Sequence, residues 1–139
     1  MKTTLYWITT VLIAAVLLLG GVMDVLRAPP VVQTIGTLGY PAYLATLLGV
    51  WKLLGAAAVV SPGLPRLKEF AYAGILFELS GAAFSHAASG DPASKVAVPL
   101  VLLGIAAASW ALRPASRRLG QVLPAAPVPT ARPVTAHAA

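Results

Sequence analysis

Cysteine is absent from the 139 residues of this chain, and charged residues make up only 10% of it. Without thiols the chain by itself cannot form a disulfide, a thiolate metal site or a cysteine-ligated iron–sulfur site. A soluble domain carries about 25% charged residues, whereas 58% of this sequence is hydrophobic. The composition therefore predicts a membrane protein, with room for about four spans of roughly 20 residues each.

Motifs typical of self-sufficient enzymes are also missing. The sequence contains no phosphate-binding glycine motif, no HExxH or CxxC and no nucleophile elbow. Only two histidines are present, His86 and His137, and since His137 falls in a tail expected to be disordered, we do not expect the two to ligate a haem together. The basic residues behind the net charge of +6 are scattered between apolar runs, which is typical of membrane topology. The sequence therefore assigns no catalytic residue and disfavours a self-sufficient enzyme, so that any enzymatic role would be that of a membrane subunit of an oxidoreductase. We also expect no metal site and no nucleic-acid contact.

Four apolar stretches follow one another along the chain. They predict membrane spans over about residues 5–26, 41–61, 69–89 and 95–112. Between the first two spans, residues 31–39 have apolar positions at helical spacing but are too short to cross a bilayer, which predicts a short interfacial helix. The predicted fold class is all-α, an integral membrane four-helix bundle forming one domain over residues 1–113. Residues 114–139, rich in Pro and Ala, predict a disordered, basic cytoplasmic tail.

The distribution of basic residues predicts how the spans are oriented. With four spans, the N-terminus, the middle loop and the tail share one side of the membrane. That side carries Lys2, Arg66, Lys68, Arg113, Arg117, Arg118 and Arg132. The opposite side carries only Arg27 and Lys95. Because basic residues are enriched on the inner side, both termini are expected in the cytoplasm.

Two ionisable residues, Lys52 and Glu78, fall near the middle of the second and third predicted spans. Each lies nine residues from the predicted inner end of its span, so both are expected about 13 Å deep. An ionisable group at that depth costs several kcal/mol unless it is paired, and we therefore expect the two to form an ion pair. Asp24, Ser85 and His86 are expected above that pair, nearer the outer face.

Several short motifs occur in an order that resembles a known family. They are Leu38-Gly39-Tyr40-Pro41, Leu48-Gly49, Lys52-Leu53-Leu54-Gly55-Ala56, Leu67-Lys68-Glu69, Ala71-Tyr72-Ala73-Gly74, Ser85-His86 and Gly90-Asp91. Over about residues 6–114 this set resembles the DoxX-like family of small four-helix proteins. The resemblance implies a multi-pass protein of the bacterial cytoplasmic (inner) membrane, in which Lys52, Glu78, Ser85 and His86 belong to a recurring group. It also implies a link to quinone-dependent sulfur oxidation and to membrane oxidoreductase complexes.

The polar seam formed by these residues allows two interpretations. In the first, Asp24, Lys52, Glu78, Ser85 and His86 bind a quinone headgroup, and the protein is a membrane subunit or accessory protein of a redox complex. In the second, the Lys52–Glu78 pair only fixes the helix register, and the protein is a non-catalytic scaffold, an assembly factor or a small-molecule carrier. The expected partners are the lipid bilayer and either a redox complex or further copies of the chain.

Overall fold

The computed structural model describes residues 1–120, and within them the fold is all-α without strands. The five α-helices are α1 (Lys2–Val25), α2 (Pro29–Thr37), α3 (Tyr43–Val60), α4 (Pro65–Ala88) and α5 (Ala93–Ala111). A 3-10 helix follows at Ala115–Arg117. The four predicted spans overlap α1, α3, α4 and α5, and the predicted short helix overlaps α2.

Proline and glycine set several of the helix ends. Pro29 and Pro65 each begin a helix. At that position the backbone N–H that proline lacks would have no acceptor within the helix. Gly90, in the turn after α4, has a φ of +70°, a conformation that glycine adopts without steric cost. Pro99 lies inside α5, which begins at Ala93, and is buried.

The four long helices pack in a ring. α1 packs against α3 and α5, and α4 packs against the same two helices. Apolar side chains fill the middle of the ring, namely Ile13, Leu17, Ala56, Val59, Tyr72, Ile75 and Ala106. The helices run antiparallel along the chain. One end of the ring carries Lys68, Arg113 and Arg117 and is called the basic end; the other carries α2 and is called the α2 end.

The outer surface of the ring is apolar. α1, α3 and α5 are long and apolar enough to cross a membrane, and only 28%, 28% and 17% of their most apolar windows are buried inside the protein. Outward-facing apolar surface of that extent requires hydrocarbon around it. α4 is long enough as well, with 24 residues, but it does not reach the same mean hydropathy because it carries Glu78 and His86. The four-span bundle therefore stays a prediction, whereas three spans are supported.

At the basic end, the residues that follow α5 fold back onto the ring. The Arg117 guanidinium lies 4.7 Å from the ring centroid of Trp7 and 5.9 Å from that of Tyr6, within the range of a cation–π interaction. This contact joins the residues after α5 to the start of α1. Residues 114–120, which the sequence analysis assigned to the tail, thus include a short helix and pack on α1; the predicted disorder of 121–139 lies outside the described residues.

Candidate functional site

The site begins with a close approach of two backbones, those of α1 and α3. A Cβ atom placed on Gly49 would lie 2.7 Å from the backbone nitrogen of Val25 and 2.8 Å from both Asp24 Cβ and the Gly21 carbonyl oxygen. Any larger residue at this position therefore meets backbone atoms. A glycine at this position thus lets α3 pack closely on α1, as is common between membrane helices.

This contact places three charged groups together. Lys52 Nζ lies 2.6 Å from Asp24 Oδ2 and 3.1 Å from Glu78 Oε1. The side chains of Lys52, Asp24 and Glu78 are 22%, 9% and 17% exposed. One cation between two carboxylates gives the group a formal charge of −1 when all three are ionised. We call Asp24, Lys52 and Glu78 the charged triad.

The triad differs from the expected pair by the addition of Asp24. The sequence placed Asp24 in an outer cluster with Ser85 and His86, whereas the structure places its carboxylate on Lys52. The reason is the direction of the lysine stem. Side chains of an α-helix lean toward its N-terminus, which in α3 is the α2 end, and the stem runs along α1 past Gly20, where a Cβ would lie 3.7 Å from Lys52 Cδ. The ammonium thereby reaches the level of Asp24.

Ser85 and His86 lie nearer the α2 end and have other partners. The Ser85 hydroxyl is 2.9 Å from the Tyr40 hydroxyl, which ties α4 to the turn after α2. His86 Nδ1 lies 2.7 Å from Asp91 Oδ2, and Lys95 donates to the other oxygen of the same carboxylate at 3.0 Å. These hydrogen bonds, first that of His86 and then that of Lys95, hold the pKa of Asp91 below its usual range.

A cavity of about 550 Å³ between α2, α3 and α4 extends from the charged triad to Ser85 and His86. All five residues predicted for the seam line it: Asp24, Lys52, Glu78, Ser85 and His86. The charged triad forms its floor, and Tyr40, Ser85 and His86 stand near its mouth at the α2 end. The walls between them are apolar and consist of Val31, Ile35, Leu38, Leu44, Leu48 and Phe77.

A second groove reaches the same floor from the outer surface of the ring. It has a volume of about 560 Å³, lies between α3 and α4, and includes Lys52 and Glu78 in its lining. Its other walls are almost entirely apolar, with Trp51, Phe70 and Phe77 among them. The floor of the cavity is therefore approached both from the α2 end and from the side that faces lipid.

Sequence reasoning missed a second polar cluster at the basic end. The Ser109 hydroxyl lies 2.7 Å from both the Thr10 and the Tyr72 hydroxyls, and all three residues are buried. The Arg113 guanidinium donates to Glu69 at 2.8 Å and is 3% exposed. Thr10 and Ser109 lie in apolar runs at opposite ends of the described chain, and no spacing in the sequence indicates that they meet.

Lys68 was also missed as a structural residue. It was counted only as a basic loop residue that sets the topology, but its side chain is fully buried. Its ammonium donates to the carbonyl oxygens of Ala58 and Val59 at 2.9 and 2.5 Å. These are among the last carbonyls of α3, which have no partner within their own helix. Lys68 therefore supplies hydrogen-bond donors to the carboxyl end of α3 and joins that end to the first turn of α4.

The described residues, 1–120, contain no cluster of three or more histidine, aspartate or glutamate side chains that could hold a metal ion. The polar groups of the cavity are instead an ammonium, carboxylates, hydroxyls and an imidazole. Such groups form hydrogen bonds to the polar end of an organic ligand and can exchange protons with it.

Long apolar helices around an enclosed charged triad define this chain as a helical membrane protein. Comparison with protein families specifies it further. The chain belongs to the DoxX-like family, whose profile matches residues 8–109. The match includes every residue that lines the cavity and confirms the resemblance inferred from the motifs. No curated protein and no solved structure matches the sequence.

Proposed function

We propose that this protein binds a quinone-type amphiphile within the membrane and serves as a subunit or accessory protein of a redox complex. One observation carries the proposal, namely the cavity of about 550 Å³ whose floor is the charged triad. Small-molecule sites have volumes of about 300–1,000 Å³, apolar walls and a few convergent polar groups. The cavity has each of these properties.

The arrangement of polar and apolar surface suits a quinone. A headgroup at the floor would have the third N–H of Lys52 as a donor and the two carboxylates as proton-exchanging groups. The apolar walls would contact the ring, and the lipid-facing groove between α3 and α4 would let an isoprenoid tail extend into the bilayer. Ligand entry from the membrane requires no opening of the basic end.

The proposal includes a four-span topology with both termini in the cytoplasm. Phe70, Phe77 and Phe84 are 76%, 72% and 75% exposed and follow one another at seven-residue intervals, which places them on one face of α4. The three rings extend over about 21 Å of helix. An exposed aromatic stripe of that length supports α4 as the fourth span, and the basic end then faces the bacterial cytoplasm by the positive-inside rule.

One observation favours a second function, that of a non-catalytic scaffold or assembly factor. Each charge of the triad has an oppositely charged partner within hydrogen-bonding distance, so none of the three is left without an ionic partner when no ligand is bound. Enclosed ion pairs of this kind can serve mainly to fix the register of packed helices. In that case the cavity would be occupied by lipid chains, and the partner protein would bind elsewhere.

Equilibrium binding of a decyl-substituted benzoquinone, in either redox form, to the full chain in lipid nanodiscs tests the proposal. Empty nanodiscs correct for partitioning of the ligand into lipid. The decisive variant is Gly81→Leu, because Gly81 lines the cavity and has open space beyond its Cα. Gly104→Leu is the matched control, since Gly104 on α5 also faces open space but lines neither the cavity nor the groove.

Saturable binding by the wild type that Gly81→Leu weakens at least tenfold, and Gly104→Leu does not, would support the proposal. No binding above that of empty nanodiscs would leave the scaffold as the better account. Equal loss in both variants would show that the ligand does not occupy this cavity. The triple variant Asp24→Asn, Lys52→Met, Glu78→Gln then separates binding from folding, because it removes all three charges and leaves none unpaired.

A further inference from the structure

The charge of the cavity floor restricts the kind of ligand that it accepts. Lys52 is the single cation of the triad, and Asp24 and Glu78 both face its ammonium. Without a ligand the floor therefore retains one uncompensated negative charge when all three groups are ionised. A negative charge in apolar surroundings is stabilised by a ligand group that donates a hydrogen bond. A ligand group that can only accept hydrogen bonds is repelled by it.

The free polar atoms of the floor are mostly acceptors. Oδ2 of Asp24 and Oε1 of Glu78 contact the ammonium, which leaves the second oxygen of each carboxylate. Among residues 1–120, the one enclosed side-chain nitrogen or oxygen without a partner is Nη1 of Arg113. Since both carboxylates line the cavity, we infer that their second oxygens are accessible from it. The ammonium adds one remaining N–H to the floor.

The neighbouring residues do not supply the missing donors. One O–H of the Ser85–Tyr40 pair remains free, and His86 is bonded to Asp91. Ser85, however, lies seven residues from Glu78, about 10.5 Å along the helix, which is too far for a hydrogen bond to that carboxylate. The buried hydroxyl cluster at the basic end is separated from the triad by the apolar core of Ile13, Leu17 and Ile75. The donors that face the carboxylates must therefore come from the ligand or from water.

We propose that the ligand donates hydrogen bonds to Glu78 and Asp24 through hydroxyl groups, so that the cavity binds a quinol in preference to the corresponding quinone. This inference rests on the proposed function and specifies its ligand. A quinol hydroxyl donates to a carboxylate oxygen, whereas a quinone carbonyl is an acceptor and would face two oxygens of like polarity. Hydrogen bonds to an ionised group are among the stronger ones in proteins, so one such bond favours the quinol about tenfold or more.

The test is to compare the affinities of the decyl-substituted benzoquinone and its quinol for the full chain in nanodiscs, under anaerobic conditions. We expect the wild type to bind the quinol at least about tenfold more tightly. Glu78→Gln provides an amide donor in place of a carboxylate oxygen, and we expect it to weaken quinol binding, strengthen quinone binding and so reduce or reverse the preference. Glu69→Gln is the matched control, because it makes the same change on α4 outside the cavity. Should Glu78→Gln not fold, Asp24→Asn makes the same test.

The outcomes separate this inference from the proposed function. A quinol preference that Glu78→Gln reduces and Glu69→Gln leaves unchanged would support the inference. Equal affinity, or tighter binding of the quinone, would overturn it while the proposed function remained. A preference that survives both Glu78→Gln and Asp24→Asn would overturn the assignment of the carboxylates as acceptors. Absence of binding in both redox forms would overturn the inference together with the proposed function.

Discussion

Replacing Gly49 by alanine tests the helix contact on which the whole site depends. The added Cβ would lie 2.7 Å from the backbone nitrogen of Val25, about 0.7 Å short of an ordinary contact distance of about 3.4 Å. Its other two neighbours, Asp24 Cβ and the Gly21 carbonyl oxygen, are at 2.8 Å. None of these atoms can move by a side-chain rotation alone, so α1 and α3 must separate locally.

The expected cost follows from two opposing effects. Overpacking of a well-packed contact costs about 1–3 kcal/mol, whereas alanine is favoured over glycine inside a helix by about 1 kcal/mol. The matched control is Gly74→Ala, since a Cβ at Gly74 has no neighbour within 4 Å. Both variants gain the helix propensity, so the difference between them isolates the overpacking cost, and we expect Gly49→Ala to be less stable than Gly74→Ala by about 1–3 kcal/mol.

The assay is unfolding of the purified protein in mixed micelles with increasing sodium dodecyl sulfate, followed by far-UV circular dichroism. A thermal melt in mild detergent provides an independent ranking of the stability of the same variants. Gly49→Ala is expected to unfold first and Gly74→Ala last, with the wild type between them or close to the control. If Gly49→Ala proved as stable as Gly74→Ala, the backbones of α1 and α3 could not be as close as described, and the reason for the Asp24–Lys52 contact would be lost.

Three further predictions concern the charged groups. Lys52→Met leaves two enclosed carboxylates without their cation and should destabilise the protein by about 3–5 kcal/mol in the same unfolding assay; a wild-type unfolding curve would contradict the pairing. Lys68→Met removes the donor to two carbonyls at the end of α3 and should cost about 2 kcal/mol, with amide exchange of the last turn of α3 as a local readout. The pKa of Asp91 is lowered, with the His86 hydrogen bond as the main cause, so this contribution to stability is complete above the ordinary value of about 3.9 and is lost as pH falls through the lower folded-state pKa. Thermal melts between pH 7 and pH 2 should show a loss that Asp91→Asn lacks, and identical profiles would refute it.

Features that depend on local composition were predictable. Apolar runs bounded by proline and glycine gave four long helices and one short one, and the order of short motifs indicated the DoxX-like family, which the family match confirms. Counting residues along two neighbouring antiparallel helices predicted that Lys52 and Glu78 lie at the same height. Their 3.1 Å contact agrees with that count, while the role of the pair stays a proposal.

Features that depend on how one helix lies against another were not predictable. The count of residues placed Asp24 beside Ser85 and His86, but Lys52 reaches Asp24 because Gly49 lets α3 contact α1 and the lysine stem runs toward the α2 end. The partner of His86, Asp91, lies only five residues away. The turn at Gly90 brings the side chains of His86 and Asp91 together, so this contact depends on local chain geometry alone.

By itself, the sequence determined that this chain is an all-helical membrane protein of the DoxX-like family with charged residues inside its apolar helices. Composition and the spacing of apolar residues decide these properties. The free energy of transferring a segment from water to lipid, and the face on which its apolar residues lie, depend on that segment alone. Only the tertiary structure decided that three charges rather than two meet and that they form the floor of a cavity beneath α2. It also decided that a buried cluster of hydroxyl groups lies at the basic end. Those features depend on the relative offset and rotation of packed helices, which arise from contacts between residues far apart in the chain.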